Sequence, residues 1–117
     1  MTLYDETKRL LGEYREAAIK SAETATSNPQ ASNQWTKQGI ACYRKLREID
    51  EGKAGIIALM DDANPYVRVL AAVHALQWTP ENARVVLERL RDSDGPGAFE
   101  AKWALINFEE GTMSFDY

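Results

Sequence analysis

The side chains of this 117-residue chain that could do chemistry are three acidic pairs, one histidine, one cysteine and a short run of cations. Asp61-Asp62, Asp92-Asp94 and Glu109-Glu110 are the residue types that bind a hard cation or act as an acid–base pair, provided that they converge in one cleft. Nothing in their spacing makes them converge. The first two pairs fall in turns between helices and the third at a helix end, where capping and solvation account for them. His74 is the only histidine and sits inside the most apolar segment. It supports neither a multi-histidine metal site nor a Ser-His triad, and it reads as a core or interface residue bonded to a carbonyl or carboxylate. Cys42 is the only cysteine, which excludes an intramolecular disulfide and a thiolate cluster; on an apolar helical stripe it reads as a small buried hydrophobe in a reducing compartment. No glycine-rich loop followed by Lys and Ser/Thr is present to cradle phosphate. The expectation is a chain without catalytic residues, cofactor or bound metal.

What remains is chemistry of contact. The net charge is −4, and it is uneven: residues 1–58 carry 9 basic and 8 acidic side chains, residues 59–117 carry 5 and 10. An acidic surface repels phosphate backbones and attracts cationic proteins, so a basic protein partner is expected and nucleic acid is disfavoured. Arg68 stands in the first turn of a helix, where its charge opposes the helix dipole, and Asp61 or Asp62 could compensate through a bidentate pair. Trp78 lies where its ring can cap a stack of helices or face a partner, whereas Trp35 and Trp103 fall on apolar stripes and are expected in the core. The candidate partner-binding residues are therefore Trp78, Arg68, Asp92, Asp94, Glu109 and Glu110. The alternative is a nucleic-acid surface built on Lys37, Arg44, Lys45 and Arg47, the one basic patch the chain offers.

The elements that must position these residues are helical. Leu3, Thr7, Leu10, Tyr14, Ala17, Ser21 and Ala25 recur at spacings of three and four and predict a first helix from Thr2 to about Thr26. Its inner stripe shrinks toward the C-terminal end, which lets another backbone approach there. Ser27–Asn33 reads as a turn around Asn28-Pro29. Trp35, Gly39, Cys42, Leu46 and Ile49 give a second helix, ended or kinked by Asp50, Glu51 and Gly52, and a short third helix closes at Asp61. Asn64 before Pro65 is a cap-then-proline start for helix four, which is apolar on nearly every side and must be covered by neighbours. Thr79 before Pro80 repeats that signal for helix five. Asp92–Gly97 is a turn, helix six runs from Ala98 to Glu109 with Gly111 as its stop, and residues 112–117 form a tail whose Phe115 and Tyr117 could dock on an open end. No apolar run is long enough for a membrane span and the N-terminus has no signal-peptide block, so a single cytoplasmic domain over residues 1–111 is expected.

The order of these elements carries a resemblance. The segment LMDDANPYVRVLAAVHAL resembles the HEAT repeat, in which a turn with Asp and Pro precedes a helix bearing Val-Arg and then small residues; the matching positions are Asp61, Pro65, Val67, Arg68, Ala71, Ala72 and Leu76. GPGAFEAKWAL is a degenerate second copy, with Phe99 where arginine is expected. Taken whole, the chain resembles a family of small bacterial HEAT-like repeat proteins known as a domain of unknown function. The resemblance implies an all-α, HEAT-like α-solenoid of about six helices stacked as antiparallel hairpins in a right-handed superhelix. It also implies a non-catalytic protein-interaction module, a small regulator or an immunity-type protein of a toxin locus.

Overall fold

The computed structural model describes residues 2–116, so Tyr117 lies outside the described residues. These form six helices, α1 (Leu3–Thr24), α2 (Pro29–Leu46), α3 (Asp50–Ala58), α4 (Pro65–Ala75), α5 (Pro80–Asp92) and α6 (Ala98–Glu110), with a 3-10 turn at Leu59–Asp61 and no strand. Their contacts cluster into two units that divide after Ile56.

In the first unit α1 opens with a capping box. Asp5 N–H donates to Thr2 Oγ1 at 3.2 Å and Thr2 N–H to Asp5 Oδ2 at 3.4 Å, so two orphan groups of the first turn satisfy each other. Thr7, Leu10, Tyr14, Ala17 and Ala18 face inward against Gly39, Cys42, Tyr43 and Leu46 of α2. The narrowing of the α1 stripe has the expected consequence: the Cβ position of Gly39 lies 3.4 Å from Ala17 Cβ, and Ser32 Oγ donates to the Ser21 carbonyl at 2.8 Å. Leu3, expected on the inner stripe, is exposed.

Two boundaries differ from the sequence reading. Helix two starts at Pro29 rather than after Asn33, because Asn28 is an N-cap whose Oδ1 accepts from Ala31 N–H at 3.2 Å. Asp50, Glu51 and Gly52 do not end helix two; they begin α3, while the break comes at residues 47–49, where Arg47 and Ile49 donate back to the Tyr43 and Leu46 carbonyls. Acidic residues belong at a helix start, where they meet the positive end of the dipole. Gly52 is buried against the Leu46 carbonyl, so any Cβ there would collide with backbone.

In the second unit the turn before α4 is tied by side chains. Asp62 Oδ2 accepts from Asn64 N–H at 2.9 Å, and Asn64 Oδ1 accepts from Tyr66 N–H at 2.9 Å and Val67 N–H at 3.3 Å. Helix α4 is buried along two arcs, Val67, Ala71, His74 and Ala75 on one and Val69, Ala72 and the following Leu76 on another. Leu70 itself is half-buried, lying between those arcs. Helices α4 and α5 form a hairpin, and α5 presents Ala83, Leu87 and Leu90 inward. Thr79 caps α5 by backbone conformation alone, its hydroxyl making no cap bond. Asp94 is left-handed at φ 56° and Gly97 at φ 87°, which turns the chain sharply into α6. Gly97 is also pressed on Pro65, whose carbonyl oxygen lies 3.4 Å from its Cβ position. Helix α6 buries Ala101, Ala104 and Leu105 and stops at left-handed Gly111. Trp103, expected in the core, is 47% exposed and Phe99 70%: the small residues of α6 face inward and its aromatics outward.

Three stability outcomes follow from these contacts. Asn64→Ala should lower unfolding stability by about 1–2 kcal/mol, since two N–H groups lose their acceptor. Gly97→Ala should cost at least ~1 kcal/mol, because an L side chain is strained in the left-handed region and Pro65 crowds it. Both are measured by urea unfolding. Burial pushes the Cys42 thiol above its ordinary 9.0, and the Glu13 carboxylate, 3.8 Å from Sγ, adds to this. The folded state thus favours the protonated thiol. Its contribution to stability is complete below the unfolded pKa and declines as pH rises past 9.0, and alkylation by iodoacetamide at pH 8 should be much slower for the native than for the urea-unfolded chain.

Candidate functional site

Arg68 occupies a fixed position in the second unit. Its Nη1 donates to the carbonyl oxygens of Asp62 at 2.9 Å and Ala63 at 3.1 Å, in the turn that precedes α4. The expected tie to the Asp61-Asp62 turn is therefore made, but to backbone carbonyls rather than as a bidentate carboxylate pair. The reason is local: the Asp62 carboxylate is turned toward Asn64 N–H, and the turn leaves two carbonyls pointing at the guanidinium. The arrangement stitches the turn to α4.

Beside Arg68 lies an open groove of about 540 Å³ between the start of α4 and the end of α5. Met60, Pro65, Val86, Leu90 and Pro96 give it apolar walls, and Asp61, Asp62, Arg68 and Arg89 give it charges of both signs. Among the described residues no three His, Cys, Asp or Glu side chains group as metal ligands.

The candidate partner-binding residues do not form one face. Asp92 and Asp94 lie with Arg68 at the end of the α4–α5–α6 unit that holds the 93–97 turn. Asp92 is committed to Arg91, with Nε to Oδ1 at 2.9 Å and Nη2 to Oδ2 at 3.4 Å, and those bonds hold its carboxyl below the usual carboxylate range. Glu109 and Glu110 lie at the opposite end, where Arg84 of α5 donates to Glu109 at 3.0 Å. Arg84 and Asp92 are eight residues apart, or about 12 Å along the helix axis. Trp78, half-buried just past α4, belongs to the Glu109 end, and its backbone N–H donates to the Ala75 carbonyl at 2.9 Å.

In the first unit Lys37, Arg44 and Lys45 are exposed along α2, with Lys37 and Arg44 two turns apart on one side. Arg47 is half-buried over the Tyr43 ring, 5.3 Å from its centroid, and lies 3.6 Å from Glu48. Part of this cationic set is thus spent within the chain. Trp35 is half-buried, beside Gln34 and Gln38.

The feature that sequence reasoning misplaced is the outer face of α6. Phe99 and Trp103 pair edge to face, centroids 6.3 Å apart at 67°, and both are open to solvent. Ile106 continues the stripe and Glu110 closes it. Phe99, Trp103 and Ile106 were legible as one flank of helix six; what spacing does not reveal is that the adjoining flank of alanines and Leu105 is the buried one.

The crystal structure of the protein RPA1889 from Rhodopseudomonas palustris CGA009 is similar to this chain, with a TM-score of 0.82 and 22% identity, covering 92% of this chain and 92% of that one. At that identity the likeness shows a shared all-α fold alone. No family model matches the chain, and no curated protein matches its sequence. Among the described residues no helix is long and apolar enough to cross a membrane.

The Arg68 geometry makes a prediction that separates structure from binding. Arg68→Ala should destabilise the fold by about 1–2 kcal/mol, as expected for a charged donor removed from two carbonyls at a partly exposed site. Arg84→Ala should change stability by less than ~0.5 kcal/mol, because its partner Glu109 is exposed. Thermal unfolding of the two variants checks the ranking; equal effects would assign Arg68 no structural role.

Proposed function

We propose that this protein is a HEAT-like α-solenoid with a right-handed stack of helical hairpins, and that it works as a non-catalytic module binding a basic protein. The observation that carries this reading is the solvent-facing Phe99–Trp103 pair on α6. Large aromatics left open on a helix whose other face is fully packed are characteristic of contact surfaces, since they supply much apolar area for little ordering cost. The charge of the second unit supports the choice of partner: its acidic residues outnumber its basic ones by 10 to 5. Such a field speeds encounter with a cationic partner. Within this class the reading is a small bacterial regulator or immunity-type protein, acting in the cytoplasm.

The test is affinity capture from the native host at low salt, comparing the wild-type chain with Phe99→Ser/Trp103→Ser. The double variant should keep its unfolding temperature to within a few degrees, because both rings are exposed, and should lose a basic protein that the wild type retains. That protein should also elute as ionic strength rises, since exposed charges are screened beyond about 10 Å at 0.1 M salt. Retention of the same proteins by wild type and variant would remove the proposed surface.

A further inference from the structure

We infer that the outer stripe of α6 receives a basic amphipathic helix, laid along Phe99, Trp103 and Ile106. This deepens the reading above and rests on it. The first observation is that α6 is apolar on two sides. At 100° per residue, Phe99, Trp103, Ile106 and Glu110 fall within an arc of about 60°, roughly opposite the buried Ala101, Ala104 and Leu105. The second observation is what this fold does with the other helix built that way. Helix α4 also has two apolar arcs, and residues of both are buried, Val67 and Ala71 on one, Val69 and Ala72 on the other. Of these two helices with a double apolar face, α6 has one face left open.

Alternating spacings of four and three along the open face form a seam nearly parallel to the helix axis, the pattern against which another helix packs. The edge-to-face contact holds the two rings in a definite relative orientation, which lowers the ordering cost of docking. Charge selects the occupant. Glu100 flanks the stripe on one side, Lys102 flanks it on the other and Glu110 closes its C-terminal end, so carboxylates outnumber ammonium groups two to one, while Glu109 is already tied to Arg84. A second copy of this chain would bring the same net-negative border against itself. A distinct helix carrying Lys or Arg beside its apolar stripe would pair with Glu100 and Glu110 while covering the rings, as apolar anchors do in helix-in-groove recognition.

The probe is a synthetic 14-residue helix of leucine and lysine with leucines at i, i+3, i+4 and i+7, alongside a scrambled peptide of the same composition and a leucine–glutamate version. Binding to the full chain is followed by amide chemical shifts. The leucine–lysine helix should perturb α6 selectively, and Trp103→Ala should weaken it by about 30-fold or more, the loss expected for an aromatic anchor. Glu100→Lys/Glu110→Lys should weaken it further in low salt and should let the glutamate version bind. Equal binding of the scrambled peptide, perturbation centred elsewhere, or concentration-dependent dimerisation lost in Trp103→Ala would each overturn the proposal, the last in favour of a second copy. Failure here separates from failure of the functional reading: a host partner whose capture depends on Phe99 and Trp103 but which binds through an extended segment defeats only the helix.

Discussion

Helix α4 constrains everything around it. Val67, Ala71, Ala72 and Ala75 have no exposure, and Val69, His74 and Leu76 almost none, so a segment of about three turns cannot be left in water without losing most of its apolar burial. Small residues let neighbouring helices come close. The turn that starts α4 is correspondingly over-tied: Asp62 holds Asn64, Asn64 holds the first N–H groups of the helix, and Arg68 reaches back to the carbonyls of Asp62 and Ala63. A fixed start to α4 fixes Pro65, against which Gly97 sets the entry of α6. The orientation of the Phe99–Trp103 face is thereby traceable to one capped turn.

Most of that organisation was legible in the sequence. Asn64-Pro65 and Thr79-Pro80 announce their helices because both residues suit the N-cap position and proline needs no donor in the first turn, although only Asn64 accepts from the free N–H groups. The same grammar stands at Asn28-Pro29, where the residues around the proline also suit a turn. The restriction that proline places on its predecessor does hold, since Asn28 is non-helical at φ −150° and ψ 80°, yet the helix begins one residue later. Asp50-Glu51-Gly52 misled for a related reason: acid and glycine suit both the end of one helix and the start of the next, and only the Leu46 carbonyl packed on Gly52 decides between them.

The candidate site was less legible. Helical spacing identifies apolar stripes but not which of two stripes on one helix is covered, and on α6 alanines won the interior because they allow closer approach than Trp103 and Phe99 would. Charge alone groups the acidic residues, whereas the fold places Asp92 and Asp94 at one end of the second unit and Glu109 and Glu110 at the other, a separation that depends on hairpin geometry. Arg68 stands in a first turn where its charge needs compensation, and its compensation is a pair of carbonyls, a partner that sequence cannot display.

Native-state hydrogen exchange tests the dependence on α4 most directly. If α4 is the doubly covered element and α6 covered on one side only, the amides of Val67–Ala75 should exchange only through global unfolding, while those of α6 exchange through local opening at a lower free energy. Amides of α4 that exchange as fast as those of α6 would contradict the account.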